Sequence, residues 1–186
     1  MLTANKHLSS RCYALVVLAA MLCLSVWAGA DSQGPQQEYR LRLHHTHTNE
    51  QIDLVYRRGD AYLPDSIDRL DRFLRDHRTG SIYRFDPRLF DLLHDLAYSI
   101  GRPEPKIDII CGYRSPRSNE YLRQTTSGVA AHSLHMQGEA IDIRIPGIPT
   151  SKLRDVALSL HRGGVGFYAK SEFVHVDVGR VRRWQQ

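Results

Sequence analysis

The sequence predicts an α+β domain on three observations: period-two alternation near the start, helical stripes through the middle, and short strand-like runs toward the end. Helices that come early and strands that come late favour segregated elements over regular β-α-β alternation. Tyr39, Leu41 and Leu43 alternate with Arg40, Arg42 and His44. Ile52, Leu54 and Tyr56 repeat the pattern after Thr48-Asn49-Glu50, which predicts a hairpin with one buried face. From Pro64 onward, Ile67, Leu70, Phe73 and Leu74 form one helical stripe, with Asp65 and Asp68 near its start, where acids complement the helix dipole. Asp86-Pro87 is a capping residue followed by a first-turn proline. Leu89, Phe90, Leu93, Leu96 and Ala97 then recur at helical spacing until Gly101 stops the helix. Ile107, Ile109 and Ile110 make a short strand that runs into Cys111-Gly112-Tyr113-Arg114. Ile141 to Ile145 makes another, ended by Pro146-Gly147. Thr150 to Arg162 reads as a helix with Leu153, Val156, Ala157 and Leu160 inward, stopped by Gly163-Gly164. Val165 to Tyr168 and Phe173 to Val178 close the chain as an antiparallel pair.

The N-terminus reads differently. Lys6 and Arg11 precede an apolar run from Tyr13 to Trp27, and Ala28-Gly29-Ala30 follows, the layout of a secretory signal peptide cleaved after Ala30. The run is shorter than the roughly 20 residues that span a bilayer, so no stable membrane span is expected after cleavage. Cys23 follows bulky Leu22, which argues against a lipoprotein. Residues 1–30 are thus read as the signal peptide, 31–38 as a flexible spacer and 39–186 as a single domain. Of three cysteines, Cys12 and Cys23 leave with the signal, so Cys111 stands alone and no internal disulfide is expected. The net charge of +5 is mild and the charged residues are scattered. Nucleic-acid binding needs a clustered basic stripe and is not indicated.

The chemistry concentrates in the tract from Ala131 to Asp142, where His135 and Asp142 flank Gly138, and in Phe173-Val174-His175-Val176-Asp177 downstream. A catalytic zinc usually takes three protein ligands from His, Asp, Glu or Cys and keeps one position open. His135, Asp142 and His175 have that chemistry and number. A histidine and an acid alone would equally suit a surface ion pair, so the combination carries the reading. Taken by itself, Arg114 reads as a member of an ordinary ion pair. His44, His45 and His47 read as incidental, since neighbours on a strand face opposite ways. His77, His94 and His132 read as surface or helix histidines.

The pattern SxHxxGxAxD with a downstream HxD resembles the superfamily of zinc D-alanyl-D-alanine carboxypeptidases and hedgehog-type peptidases. Ser133-Leu134-His135-Met136-Gln137-Gly138-Glu139-Ala140-Ile141-Asp142, Gly112-Tyr113-Arg114-Ser115, Gly164-Val165-Gly166-Phe167-Tyr168 and the run from Phe173 to Gly179 look most like the murein endopeptidase K family. The resemblance covers most of the chain after the signal, including Leu89-Phe90-Asp91 and Arg183-Trp184. It implies a hedgehog/DD-peptidase-like fold, a small antiparallel sheet packed with helices around a zinc site. It also implies a periplasmic zinc metallopeptidase that hydrolyses peptidoglycan peptide cross-links, acting on peptide stems as a monomer. The ligands map to His135, Asp142 and His175, and the oxyanion-stabilising arginine to Arg114. For the general base, Glu172 stands three residues before His175, where some branches of the superfamily carry an acid. Asp177 is its rival, because strand alternation puts it on the face of His175, as base or as the acid that orients the imidazole. Two other readings stay open: a peptidoglycan-binding domain that keeps the metal without turnover, and a cysteine peptidase built on Cys111.

Overall fold

The computed structural model describes residues 36–102 and 104–186; the expected signal peptide and most of the spacer lie outside them. The predicted hairpin is β1 (Glu38–His45) and β2 (Gln51–Arg58), paired antiparallel, with the two-residue β3 (Ala61–Tyr62) at its edge. Next come α1 (Pro64–Phe73), α2 (Pro87–Ser99), β4 (Lys106–Cys111), α3 (Pro116–Thr125), β5 (Ala140–Arg144), α4 (Thr150–Ser159), β6 (Gly164–Tyr168), β7 (Phe173–Asp177) and β8 (Arg182–Gln185). The Asp86 carboxylate accepts from the Arg88 N–H to cap α2, and Pro87 fills the first turn.

The α+β class holds, while the sheet is larger and more mixed than a small antiparallel one. It has eight strands in the order β3-β2-β1-β4-β5-β7-β6-β8. The β1–β4 and β6–β8 pairs are parallel and the other pairings antiparallel. Helix α3, with Ser115 accepting from the Ser118 N–H at its start, escapes the apolar-stripe criterion because its buried residues are Ser118 and Asn119. Helix α4 ends at Ser159, with Leu160 as its cap, short of the expected Arg162.

Alternation sorts the two faces of the sheet. Leu41, Leu43, Ile107, Ile109, Ile141, Ile143, Val165, Phe167, Val174 and Val176 are buried in one core with Leu70, Leu89, Leu93 and Leu153 of the helices. At about 25 cal/mol per Å² of apolar surface removed from water, this layer supplies the main drive to fold. A polar brace ties the hairpin to α2: the hydroxyls of Tyr56 and Tyr62 donate to Asp91 at 2.8 and 2.6 Å, and the Arg57 guanidinium lies 3.1 Å away. The opposite face of β5, β7 and β6 carries Asp142, His175, Asp177, Gly166 and Tyr168. The register of the sheet brings these together.

Candidate metal centre

Directly paired residues form a row across five strands: Cys111 opposes Asp142, Asp142 opposes His175, His175 opposes Gly166, and Gly166 opposes Trp184. A register shift between Ile109 and Cys111 allows the first pairing, since Ile109 opposes Ile143 in the core and one extra residue re-aims the strand end. Gly166 is required by close approach, because a Cβ there would lie 2.5 Å from the Trp184 ring. Trp184 therefore lies over the strand, with its ring centroid 5.0 Å from that of His175.

His135 reaches this row from a 3-10 turn, Leu134–Gln137, whose start is capped by the Ser133 hydroxyl accepting from the His135 N–H. Gly138 ends the turn at φ 66, where a side chain would be strained and a Cβ would meet the Arg84 carbonyl at 2.5 Å. The His135 carbonyl accepts from the Arg114 N–H at 3.2 Å, locking the turn to the end of β4.

Three donor atoms converge. His135 Nε2 lies 3.2 Å from Asp142 Oδ1 and 3.1 Å from His175 Nδ1, and His175 Nδ1 lies 2.9 Å from the same Asp142 oxygen. All three residues are buried. The outward nitrogens have their own acceptors: His135 Nδ1 faces the Gly112 carbonyl at 2.8 Å, and His175 Nε2 faces Asp177 Oδ2 at 3.1 Å. Those acceptors place a proton on each outward nitrogen and leave the inward ones as lone pairs. Two lone pairs and a carboxylate oxygen so close repel unless a cation or shared proton lies among them. A tetrahedral ion with bonds of about 2.0–2.1 Å needs ligand separations of about 3.3 Å, close to this triangle. The residues fit a metal.

Burial opposes a charge on His135, but Asp142 and Cys111 outweigh it and push the imidazole up to about 10. Burial likewise opposes the Asp142 carboxylate, and His135 with His175 hold it well below the usual range. The Cys111 thiol forms a second, looser group with His135 and Asp142, donor atoms within 4.8 Å. The His175 nitrogen lies within 3.1 Å of both His135 and Asp142. Cys111 Sγ instead accepts from Arg114 Nη2 at 3.6 Å.

Asp177, fully buried, is saturated by donors. Oδ1 accepts from the N–H groups of Gly164 and Gly179, each at 2.9 Å, and from Arg182 Nη1 at 3.0 Å. Oδ2 accepts from His175 and from Arg182 Nη2 at 2.6 Å. Burial alone would raise its carboxyl, but His175 and Arg182 hold it well below the usual range. The Arg114 guanidinium is tethered by long contacts, 3.5 Å to Asn119 Oδ1, 3.6 Å to Cys111 Sγ and 3.8 Å to Asp142 Oδ2, and its Nε is buried without a partner among the described residues. Asn119 in turn donates to the carbonyls of Ala130 and Ala131, so α3 sets the position of Arg114. Buried Asp76 accepts from the Ser115 N–H at 2.8 Å and anchors the next residue.

The structure does not bring Glu172 to this group. Glu172 sits exposed on the turn between β6 and β7 at φ 53, before β7 begins at Phe173, and stands outside the cavity wall. The cavity over the triangle has a volume of about 520 Å³ and is lined by Arg114, Ser133, Tyr168 and Trp184 beside the three ligand candidates, with His47 and His77 farther along its wall. His44 turns away to Asp108, but His45 and His47 share a face and meet His77, whose ring stacks on His47 at 4.0 Å. Burial pushes both His45 and His77 down to about 4, so they are neutral at physiological pH.

The family described as peptidoglycan L,D-endopeptidase MepK matches residues 33–184. The chain belongs to this family. Membership places it among peptidases. Within the family, it is 42% identical over 144 residues to the peptidoglycan L,D-endopeptidase MepK of Escherichia coli K12, covering 77% of this chain and 79% of that one. It is 38% identical over 145 residues to the probable peptidoglycan L,D-endopeptidase MepK of Haemophilus influenzae, covering 78% of each chain. No solved structure matches the chain.

Tyr168, Trp184 and Arg182 at this site escape sequence reasoning, because only the pairing of β6 with β7 and β8 brings them to His175. Among the described residues, no helix is long and apolar enough to cross a membrane.

Proposed function

We propose that this protein is a zinc-dependent peptidoglycan endopeptidase, cleaving L,D peptide bonds in wall cross-links in the periplasm after removal of residues 1–30. The observation that carries the reading is the buried triangle of His135 Nε2, Asp142 Oδ1 and His175 Nδ1 at the floor of an open cavity, in a chain of this family. Zinc held there would supply a Lewis acid that polarises the scissile carbonyl and activates water. The protein's own part is positioning and charge. Arg114 offers its poorly tethered guanidinium to the carbonyl oxygen as that oxygen gains charge. Asp177 holds His175 by its outer nitrogen, and with five donors on its oxygens it has no free lone pair with which to take a proton. That supports the orienting role over the basic one.

The two acids are separable. Asp177→Asn is expected to weaken zinc binding about 10–100-fold, the usual effect of losing the acid behind a ligating imidazole. Glu172→Gln, an exposed change outside the cavity wall, is expected to leave turnover within about twofold. Zinc competition against a chromophoric chelator and initial rates on one substrate measure both. A large rate loss with intact zinc in Glu172→Gln would return that residue to the role of base.

The function itself is tested with purified residues 31–186 and defined muropeptide dimers carrying either an L,D or a D,D cross-link. Products are read by mass spectrometry before chelation, after it, and after zinc is returned. Cleavage of the L,D dimer alone, lost on chelation and restored by zinc, is expected. Equal cleavage with and without metal would refute the zinc mechanism. Retention on sacculi with no product from either dimer would make the protein a binding module.

A further inference from the structure

Tyr168 lies on β6 two residues beyond Gly166, hence on the sheet face that carries His175. Its ring stacks on Phe173, its cross-strand neighbour, with centroids 4.3 Å apart and planes 15° from parallel. Its hydroxyl oxygen accepts a hydrogen bond from the Trp184 indole N–H at 3.1 Å. A phenol that accepts in this way keeps its own proton to give. Among the described residues none accepts that proton, and the side chain lines the cavity with Arg114 and Asp142 in electrostatic reach. Burial also raises the phenol above its ordinary value despite Trp184, so it stays protonated.

The placement is two-sided. In the strand order β4-β5-β7-β6, Asp142 and His175 occupy the inner pair. Arg114 follows the outer strand β4, and Tyr168 stands on the outer strand β6. A peptide laid across the triangle thus meets a cationic donor from one flank and a neutral donor from the other.

Building on the proposed peptidase activity, we propose that Tyr168 is a further catalytic residue, whose hydroxyl donates to the scissile carbonyl oxygen as it becomes an oxyanion, and that Trp184 is the positioning residue that aims it. The step is a strengthening hydrogen bond and moves no proton. Two rigid rings fix the donor before substrate arrives. Donors preorganised in this way contribute to the transition state without the cost of reordering.

The test is Tyr168→Phe, which deletes one oxygen and keeps the stack on Phe173. On the L,D dimer its kcat is expected to fall about 100-fold with KM changed little, the signature of a contact made only in the transition state. Zinc content and thermal unfolding should match the unsubstituted protein. Affinity for a phosphinate analogue of the scissile bond should fall in parallel with kcat/KM, while affinity for the product peptides holds. Trp184→Phe should show a smaller loss of the same kind. A Tyr168→Phe protein with kcat within twofold of the unsubstituted one overturns the proposal. So does a loss that appears entirely in KM, or one that tracks lost zinc. If the unsubstituted protein cleaves neither dimer, the peptidase reading falls as well, whereas an active parent with an equally active variant removes Tyr168 alone.

Discussion

His175→Ala is expected to lose stable zinc binding and to drop turnover by about three orders of magnitude or more, to the level of the chelated protein. The argument is one of donor count. His135 and Asp142 would remain as a two-donor site, and a Lewis acid worth several kcal/mol to the transition state would be lost with the ion. Metal content and rate should fall together. A second readout separates this from damage to packing against Trp184: zinc should raise the melting temperature of the unsubstituted protein and leave that of His175→Ala unmoved, because only a ligand of the native state stabilises it. The sign of the pH effect follows from the site. Asp142 and Cys111, against the opposition of burial, hold a proton on His135 up to about pH 10, so zinc must displace it and binding weakens as pH falls. A His175→Ala protein that keeps one equivalent of zinc and most of its rate would move the third ligand elsewhere, with Cys111 the next donor in space.

The parts of this site legible in the sequence were those carried by residue type and short spacing. His135 and Asp142 sit on either side of a turn-forming glycine, and His175 and Asp177 alternate along one strand. Period-two geometry was enough to put Asp177 beside His175, yet not to assign its role. What the sequence does not show is that Arg182 and the N–H groups of Gly164 and Gly179 fill that carboxylate from other segments, the observation on which the proposed orienting role rests. Helix α3 escapes for a related reason: its buried residues are Ser118 and Asn119, and Asn119 serves the seat of Arg114 and the loop before His135. Alternation along a strand says which face a residue occupies and nothing about which strand lies alongside. The parallel joins of β1 to β4 and β6 to β8 were therefore beyond reading, and with them the row from Cys111 to Trp184.

Just past the end of β4, beside that row, the chain places a partly buried arginine where an apolar residue would pack more simply. Arg114→Ala is expected to lower kcat about 10²–10³-fold while leaving zinc content unchanged, the range seen when one oxyanion donor is removed. Desolvating a guanidinium is costly unless it is well paired. Arg114 has only long contacts to Asn119, Cys111 and Asp142, with Nε unpartnered among the described residues. A structural ion pair would be expected to close on its carboxylate, as Arg182 does on Asp177 at 2.6 Å. An under-satisfied donor facing a cavity is suited to a partner that arrives with substrate. Arg114→Lys discriminates the two roles: a point charge restores attraction without the planar fork, so it should recover only part of the rate. Wild-type kcat in Arg114→Ala, with loss confined to thermal stability, would make the residue a packing element and leave Tyr168 as the sole candidate donor.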